Sequence, residues 1–366
     1  MPELIVPPTP TVVAPGSLIG GGAPGLIYAG GLDPHVTGGA PSLSRLASYH
    51  SAAGGNSREA INAFRASRPF PEDAQRMLDG ALIRVGRQKL NIVSDLIDAG
   101  LTFDLPNWLA VPLIQWDRIG EGGSARRTMV PKARGERFVL DMTPASIPVF
   151  CTWGDFSFDI RTILQAERVG YNIDTAHAES TTRNVNTKIE DQAVNGAGLQ
   201  VTGGFVAPGF FTSGFAVNTD TFIDNEAWTH ANHSGEDIHN DVMALMELLQ
   251  ADNFDGPYRL YVPLNYWNKL TFDYKSGTSG SIIQRLNEGF DGVLTIRPSQ
   301  SLPADKVLLL QMTSDVVDVI VGQQPTLVSW EDGPGWERFF VVLACIITRI
   351  KSNILGNQGF AIGSPT

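Results

Sequence analysis

Apolar residues recur at Met77, Leu78, Ala81, Leu82, Val85, Ile92, Val93, Leu96 and Ile97. This three-and-four spacing predicts a helix over 72–99 with one continuous buried face, and Gly100 supplies its stop. The pattern then changes. Trp108, Val111, Leu113, Ile114 and Trp116 on one side, and Phe138 to Met142 on the other, flank a glycine-rich stretch at Gly120 to Gly123. Two strand-like arms around a polar tip predict a long β-hairpin over 104–150. A lone hairpin buries little by itself, so it calls for a surface outside its own domain. Residues 160–195 predict a second long helix with only a weak apolar stripe: Ile163, Leu164, Ile173, Ala176, Val185 and Ile189. At 1.5 Å per residue, roughly thirty helical residues would be about 45 Å long, the form of a strut between parts.

Residues 196–233 are Gly-rich and aromatic and predict a loop or meander. Ser234 opens a helix to Gln250, with Asp237 where a capping box would place it and Ile238, Val242, Leu245, Met246 and Leu249 on the buried face. A strand at 258–262, short helices around 265–272 and 281–288, and strands at 293–296, 307–311, 316–321, 326–330 and 338–350 follow. This alternation predicts a compact α/β unit. The final strand is nearly all apolar, which predicts a central, buried position.

Residues 1–57 hold eleven Gly, eight Pro and only three charged residues, Glu3, Asp33 and Arg45. A disordered tail is usually more charged. The block reads either as an arm lying extended on a partner surface or as a plain flexible leader.

Charge sharpens the picture. The chain of 366 residues carries net −11 with only 18% charged residues, below the usual quarter. No Lys or Arg occurs between Ile189 and Tyr258, a stretch holding Glu190, Asp191, Asp220, Asp224, Glu226, Glu236, Asp237, Asp241, Glu247, Asp252 and Asp255. The hairpin tip is the opposite: Arg118, Arg126, Arg127, Lys132, Arg134 and Arg137 against Glu121 and Glu136. The acidic balance argues against a sequence-independent nucleic-acid binder, which needs a basic excess. Two cysteines, Cys151 and Cys345, are too few for a disulfide scaffold and are expected as buried free thiols in a reducing, soluble setting. No basic-then-apolar leader opens the chain, and the apolar run Phe339 to Ile347 is too short to span a bilayer.

Sequence motifs offer little catalysis. Gly20 to Gly22 with Gly25 lacks the Lys-Ser/Thr of a phosphate loop. Gly277-Thr-Ser-Gly280 follows no strand and is no nucleophile elbow. Glu331-Asp332 beside Gly333-Pro334 is turn chemistry. His230, His233 and His239 with Glu236 and Asp237 could gather around zinc. The more economical reading is a solvated helix start with Asp237 as a cap.

The order of these parts resembles the major capsid proteins of tailed bacteriophages, the Hong Kong 97 type, related to encapsulin shells. Asp255-Gly-Pro-Tyr258, Leu260-Tyr-Val262, Tyr266 and Leu270 are similar to the opening of that family's axial domain. Ile283, Leu286, Val293, Pro298, Val307 to Leu310, Asp318 and Gly322 keep its rhythm, and Glu337 to Val341 with Ala344-Cys-Ile346 resemble its returning strand. Trp153 to Arg161 resemble the lead-in to its spine helix. The resemblance covers about 72–350 and implies an α+β capsid fold. Its parts would be an extended arm (1–71), an N-terminal helix (72–103), a hairpin loop (104–150), a peripheral domain with the spine helix (151–224), an axial domain (225–332), and a return strand with a C-terminal tail (333–366). It implies a non-enzymatic subunit without cofactors or metals that assembles with itself into pentamers and hexamers of an icosahedral virion shell. Such a shell, built in the host cytoplasm, encloses double-stranded DNA without sequence-specific binding and does not engage a membrane. Portal and scaffolding proteins are the implied partners, with or without a decoration protein. The six basic tip residues are the candidate intersubunit contacts. Some family members cross-link a hairpin Lys to a neighbour's Asn; here Lys132 faces only Asn353 and Asn357 as candidates, with no recognisable base. Two other readings stay open: an encapsulin-like compartment around a cargo enzyme, and a metal enzyme built on the His230 cluster.

Overall fold

Two larger sheets carry the described residues, and the two longest strands, Val317–Asp332 and Glu337–Ile350, form the middle of one of them. The computed structural model describes residues 56, 91–120, 141–159, 161–162, 176–201, 204–212, 214–275, 280–290, 292–332 and 337–365. In chain order these form α1 (Ile92–Asp98), β1 (Thr102–Asp104), β2 (Leu113–Ile119), β3 (Met142–Pro148), β4 (Thr152–Asp159) and α2 (Ala176–Asn195). Next come β5 (Gln200–Val201), β6 (Phe205–Val206), β7 (Thr219–Thr221), α3 (Gly235–Ala251), β8 (Tyr258–Pro263), α4 (Leu264–Leu270) and α5 (Ile282–Gly289). The chain ends with β9 (Leu294–Ser299), β10 (Val307–Gln311), β11 (Val317–Asp332), β12 (Glu337–Ile350) and β13 (Phe360–Ser364). The arm at 1–71, most of the helix expected from 72, the tip at 121–140 and residues 163–175 of the strut lie outside the described residues.

The first sheet has the order β1-β11-β12-β4. Its inner face packs on α2. Phe156 stacks on Phe340 with centroids 5.2 Å apart, and Phe158 meets Phe340 edge-on at 5.5 Å. Gly154 of β4 lets the helix come close, since a Cβ there would sit 2.8 Å from Thr181 Cγ2. The second sheet has the order β7-β13-β10-β8-β9. Helix α3 buries Ile238, Val242, Leu245, Met246 and Leu249 in the core that this sheet shares with Phe222, Trp228 and Tyr266. One apolar cluster joins the two halves: Ile92, Val93, Leu96, Val185 and Ile189 share it with Tyr261, Leu308, Leu310, Phe360 and Ile362.

Helix α2 is anchored by polar groups as much as apolar ones. Thr182, Asn186, Glu190 and Gln192 are all buried. Pairing of β4 with β12 ends at Ala344, which leaves the edge of β12 bare beyond it. Gln192 fills that edge like a missing strand: Thr348 N–H donates to its Oε1 at 2.9 Å, and its Nε2 donates to Thr348 O at 3.3 Å.

Several expectations change. The strands expected at 316–321 and 326–330 are one strand, β11, with irregular register between Val321 and Thr326. Residues after 350 are more than a tail: Phe360–Ser364 is a largely buried interior strand between β7 and β10. Thr152–Asp159, read as a helix lead-in, is an edge strand. Both cysteines are free, but only Cys345 is buried. Cys151 sits just ahead of the edge strand, where no layer covers it.

Replacing Gln192 with Leu keeps the shape and leaves the Thr348 N–H and C=O buried without partners. We expect a loss of about 1–3 kcal/mol, measured as a lower urea midpoint at unchanged slope.

Candidate functional site

The histidines expected near Ser234 do not converge. His233 is buried, with Nε2 3.0 Å from Asp241 Oδ2. Asp241 also accepts from Trp228 Nε1 at 2.8 Å and Ile223 N–H at 2.9 Å. Burial pushes its carboxyl up against these three donors. His230 pairs with Glu226 at 2.6 Å. His239 stacks on Phe290 at 5.7 Å, and burial lowers its pKa. Asp237 closes a capping box: Ser234 Oγ accepts its N–H and Ser234 N–H donates to its Oδ2 at 2.8 Å. The Ser234 hydroxyl holds the Asp237 carboxyl below its ordinary range. Among the described residues no group of three or more His, Cys, Asp or Glu is placed to hold a metal ion. A nearby cavity of about 380 Å³ is lined by His233, Glu236, Lys269, Asp273 and Lys275 among others. Its Glu236 and Lys275 already face each other at 3.8 Å.

Asn353 and Asn357 share one turn after β12. Asn357 N–H donates to Asn353 Oδ1 at 2.8 Å, and Asn357 Nδ2 donates to Asp252 Oδ1 at 2.8 Å. Asp252 Oδ2 accepts from Asn218 Nδ2 at 3.0 Å. The Asn357 amide therefore links the end of the chain to the end of α3.

The built surface of the molecule is the root of the hairpin. Strands β2 and β3 pair only with each other among the described strands, from Leu113↔Pro148 to Ile119↔Met142. The root packs through Trp108, Ile114 and Ile147 onto Ile320, Val328, Cys345 and Ile347. Gly322 makes room for it, because a Cβ there would lie 2.8 Å from Trp108 Cβ and 2.7 Å from Cys345 Sγ. Above this contact Arg349 lies between two rings, 5.0 Å from the centroid of Phe103 on β1 and 5.2 Å from that of Trp116 on β2. Its guanidinium makes a two-pronged ion pair with buried Asp318, through Nε at 2.8 Å and through Nη2. Lys351 adds a second cation at 2.9 Å from Asp318. A planar, always-charged fork suits both tasks, stacking and bidentate pairing. Of the six candidate tip residues, Arg118 is half-buried on β2 opposite Thr143. Arg126, Arg127, Lys132, Arg134 and Arg137 lie outside the described residues.

Residues 65–330 match the family of unknown function DUF6260. The chain belongs to that family. No curated protein matches its sequence. Among solved structures, a virus-like particle from Pyrococcus furiosus is similar at a TM-score of 0.55 and 19% identity, over 79% of this chain and 98% of that one. The capsid of Myoviridae phage XM1 is similar at 0.53 and 16%, over 69% and 86%. The capsid of a native GTA particle is similar at 0.53 and 10%, over 76% and 92%. This DUF6260 chain thus has the Hong Kong 97 type of capsid fold. No helix among the described residues is long and apolar enough to cross a membrane.

The Arg349 clamp went unnoticed in the sequence. Its only signal there is an Arg near the end of an otherwise apolar strand. Changing Arg349 to Ala leaves Asp318 buried with Lys351 as its remaining cation. We expect about 3 kcal/mol of destabilisation and an altered Trp116 fluorescence, read by comparison with a Trp116→Phe background.

Proposed function

We propose that this protein is the subunit of an icosahedral shell, assembling into pentamers and hexamers around double-stranded DNA as a virion component without catalytic activity. The observation that carries this reading is the β2–β3 ribbon, two strands that among the described strands pair only with each other and are rooted on the first sheet. An isolated ribbon is marginal in water, so it gains stability by lying on another copy. Its connection, residues 121–140, holds Arg126, Arg127, Lys132, Arg134 and Arg137 against Glu121 and Glu136. The natural counterpart is the exposed acid of the axial part, at Asp224, Glu236, Glu247 and Asp255. Opposite charges on separate elements of identical subunits favour contacts between copies and help set register. Packaged DNA needs only to be held by a closed container, which is compatible with an acidic subunit. Portal, scaffolding and, where present, decoration proteins would be its further partners.

Charge reversal at Arg126 and Arg127 to Glu, in the full chain, is expected to abolish particles in electron micrographs while circular dichroism stays native. Normal shells from that variant would show that the tip is no assembly contact. Nuclease-protected DNA inside purified particles is expected; a protein cargo in its place would point to a cargo compartment.

A further inference from the structure

Helix α1 sits between α2 and the second sheet and is held by a carboxylate on each side. At its first turn, Ile92 N–H donates to Glu190 Oε1 at 2.7 Å and Val93 N–H to Oε2 at 3.3 Å. One turn on, Asp95 Oδ2 accepts from Tyr261 Oη at 3.2 Å and faces Arg259 Nη1 at 3.2 Å, both on β8. Asn91 Nδ2 adds a bond to Pro298 O of β9 at 3.4 Å. These contacts make α1 a clip across two parts of the fold, placed where the N-terminal ninety residues join it.

Glu190 is fully buried, yet among the described residues no cation is paired with it. On α2 its neighbours Lys188 and Asp191 are spent on each other at 3.5 Å. From α1 it faces Asp95, a like charge, and Arg259 on β8 is engaged with that Asp95. Buried Asn186 lies one turn before it on α2, and the apolar cluster of Ile92, Val93, Leu96, Val185 and Ile189 packs beside it. A buried, uncompensated carboxylate is costly, whereas its protonated form keeps oxygen lone pairs for both N–H donors.

We infer that α1 is a proton-controlled clip: protonated Glu190 locks α1 between α2 and the second sheet, and loss of that proton loosens it. Burial raises the Glu190 carboxyl to about 7, and the backbone N–H groups of residues 91–93 only partly oppose it. Released into water, the same group returns to its ordinary value of 4.5. The docked state therefore binds the proton more tightly. Docking is strongest below the released value, weakens as pH rises through about 7, and is constant above. One linked proton changes the docked-to-released ratio by up to about tenfold per pH unit. The inference does not depend on the shell reading, since it concerns contacts within one chain.

Hydrogen exchange of the full-length protein between pH 5.5 and 8.5, corrected for intrinsic rates, tests it. Protection of Ile92 to Ala99 should fall by up to about tenfold per unit towards pH 7 and then level, while β10 stays unchanged. Glu190→Gln should remove the slope. Asp95→Asn should lower protection at every pH and keep the slope. A flat wild-type profile, or equal slopes in the wild type and Glu190→Gln, would overturn the clip. Where Glu190→Gln does not fold, the Asp95→Asn arm decides: a slope lost there assigns the titration to Asp95 and sinks the proposal.

Discussion

The buried polar side of helix α2 is the constraint on which the rest of the structure depends. An apolar stripe tolerates small rotations and slides, because dispersion contacts have little direction. A carboxylate facing two N–H donors, or an amide facing one N–H and one C=O, does not. Glu190 and Gln192 are two residues apart, so they leave α2 about 200° apart around its axis. One grips α1 and the other grips Thr348 of β12. Gripped from two sides, the helix has one rotation and one axial position. The first sheet then has its place against α2, and through α1 so does the second.

That arrangement explains what could be foreseen and what could not. Elements governed by apolar period were legible: α3 with its capping box, β8, β10 and the long central β12 all lie where the spacing puts them. Strand β4 was not, because Trp153-Gly-Asp-Phe-Ser-Phe-Asp alternates glycine and acids with aromatics, and its strand character comes from pairing with β12. Strand β13 hid in a short Phe-Ala-Ile-Gly-Ser stretch that gains its identity only between β7 and β10. The weak stripe of α2 was read as the mark of a strut between parts, yet four of its nine buried positions, Thr182, Asn186, Glu190 and Gln192, are polar. Hydropathy alone scores Glu190 and Gln192 as surface, and only a partner distant in sequence turns them inward. The candidate site fared similarly. The hairpin and its root were legible from Trp108, Ile114 and Trp116, while Arg349 was invisible because its partners come from β1, β2 and β11.

The hairpin root also shows how rigidity and reach are combined. Trp108 fits over Gly322 and Cys345, and Trp116 lies against a guanidinium already fixed by Asp318. The ribbon therefore leaves the sheet from a fixed base, although its own two strands are weakly self-supporting. A projecting element with a rigid root has a defined direction, and identical subunits can use it repeatedly in the same geometry.

Charge is used more economically than the composition implies. Of the eleven acids between Ile189 and Tyr258, Glu190 and Asp237 serve backbone N–H groups at helix starts, Asp241 holds three donors, and Asp252 joins two asparagines. Asp191 and Glu226 are paired with Lys188 and His230 on their own elements. The negative stretch is thus largely an internal supply of acceptors in a domain rich in loops and short helices, whose N–H groups need partners. What remains outward is a sparse set: Asp224, Glu247 and Asp255, with Glu236 facing Lys275 at 3.8 Å. Sparse charges of one sign on one element and of the other on the hairpin tip add little to affinity. In the proposed shell their part is a check on register, rejecting wrong alignments.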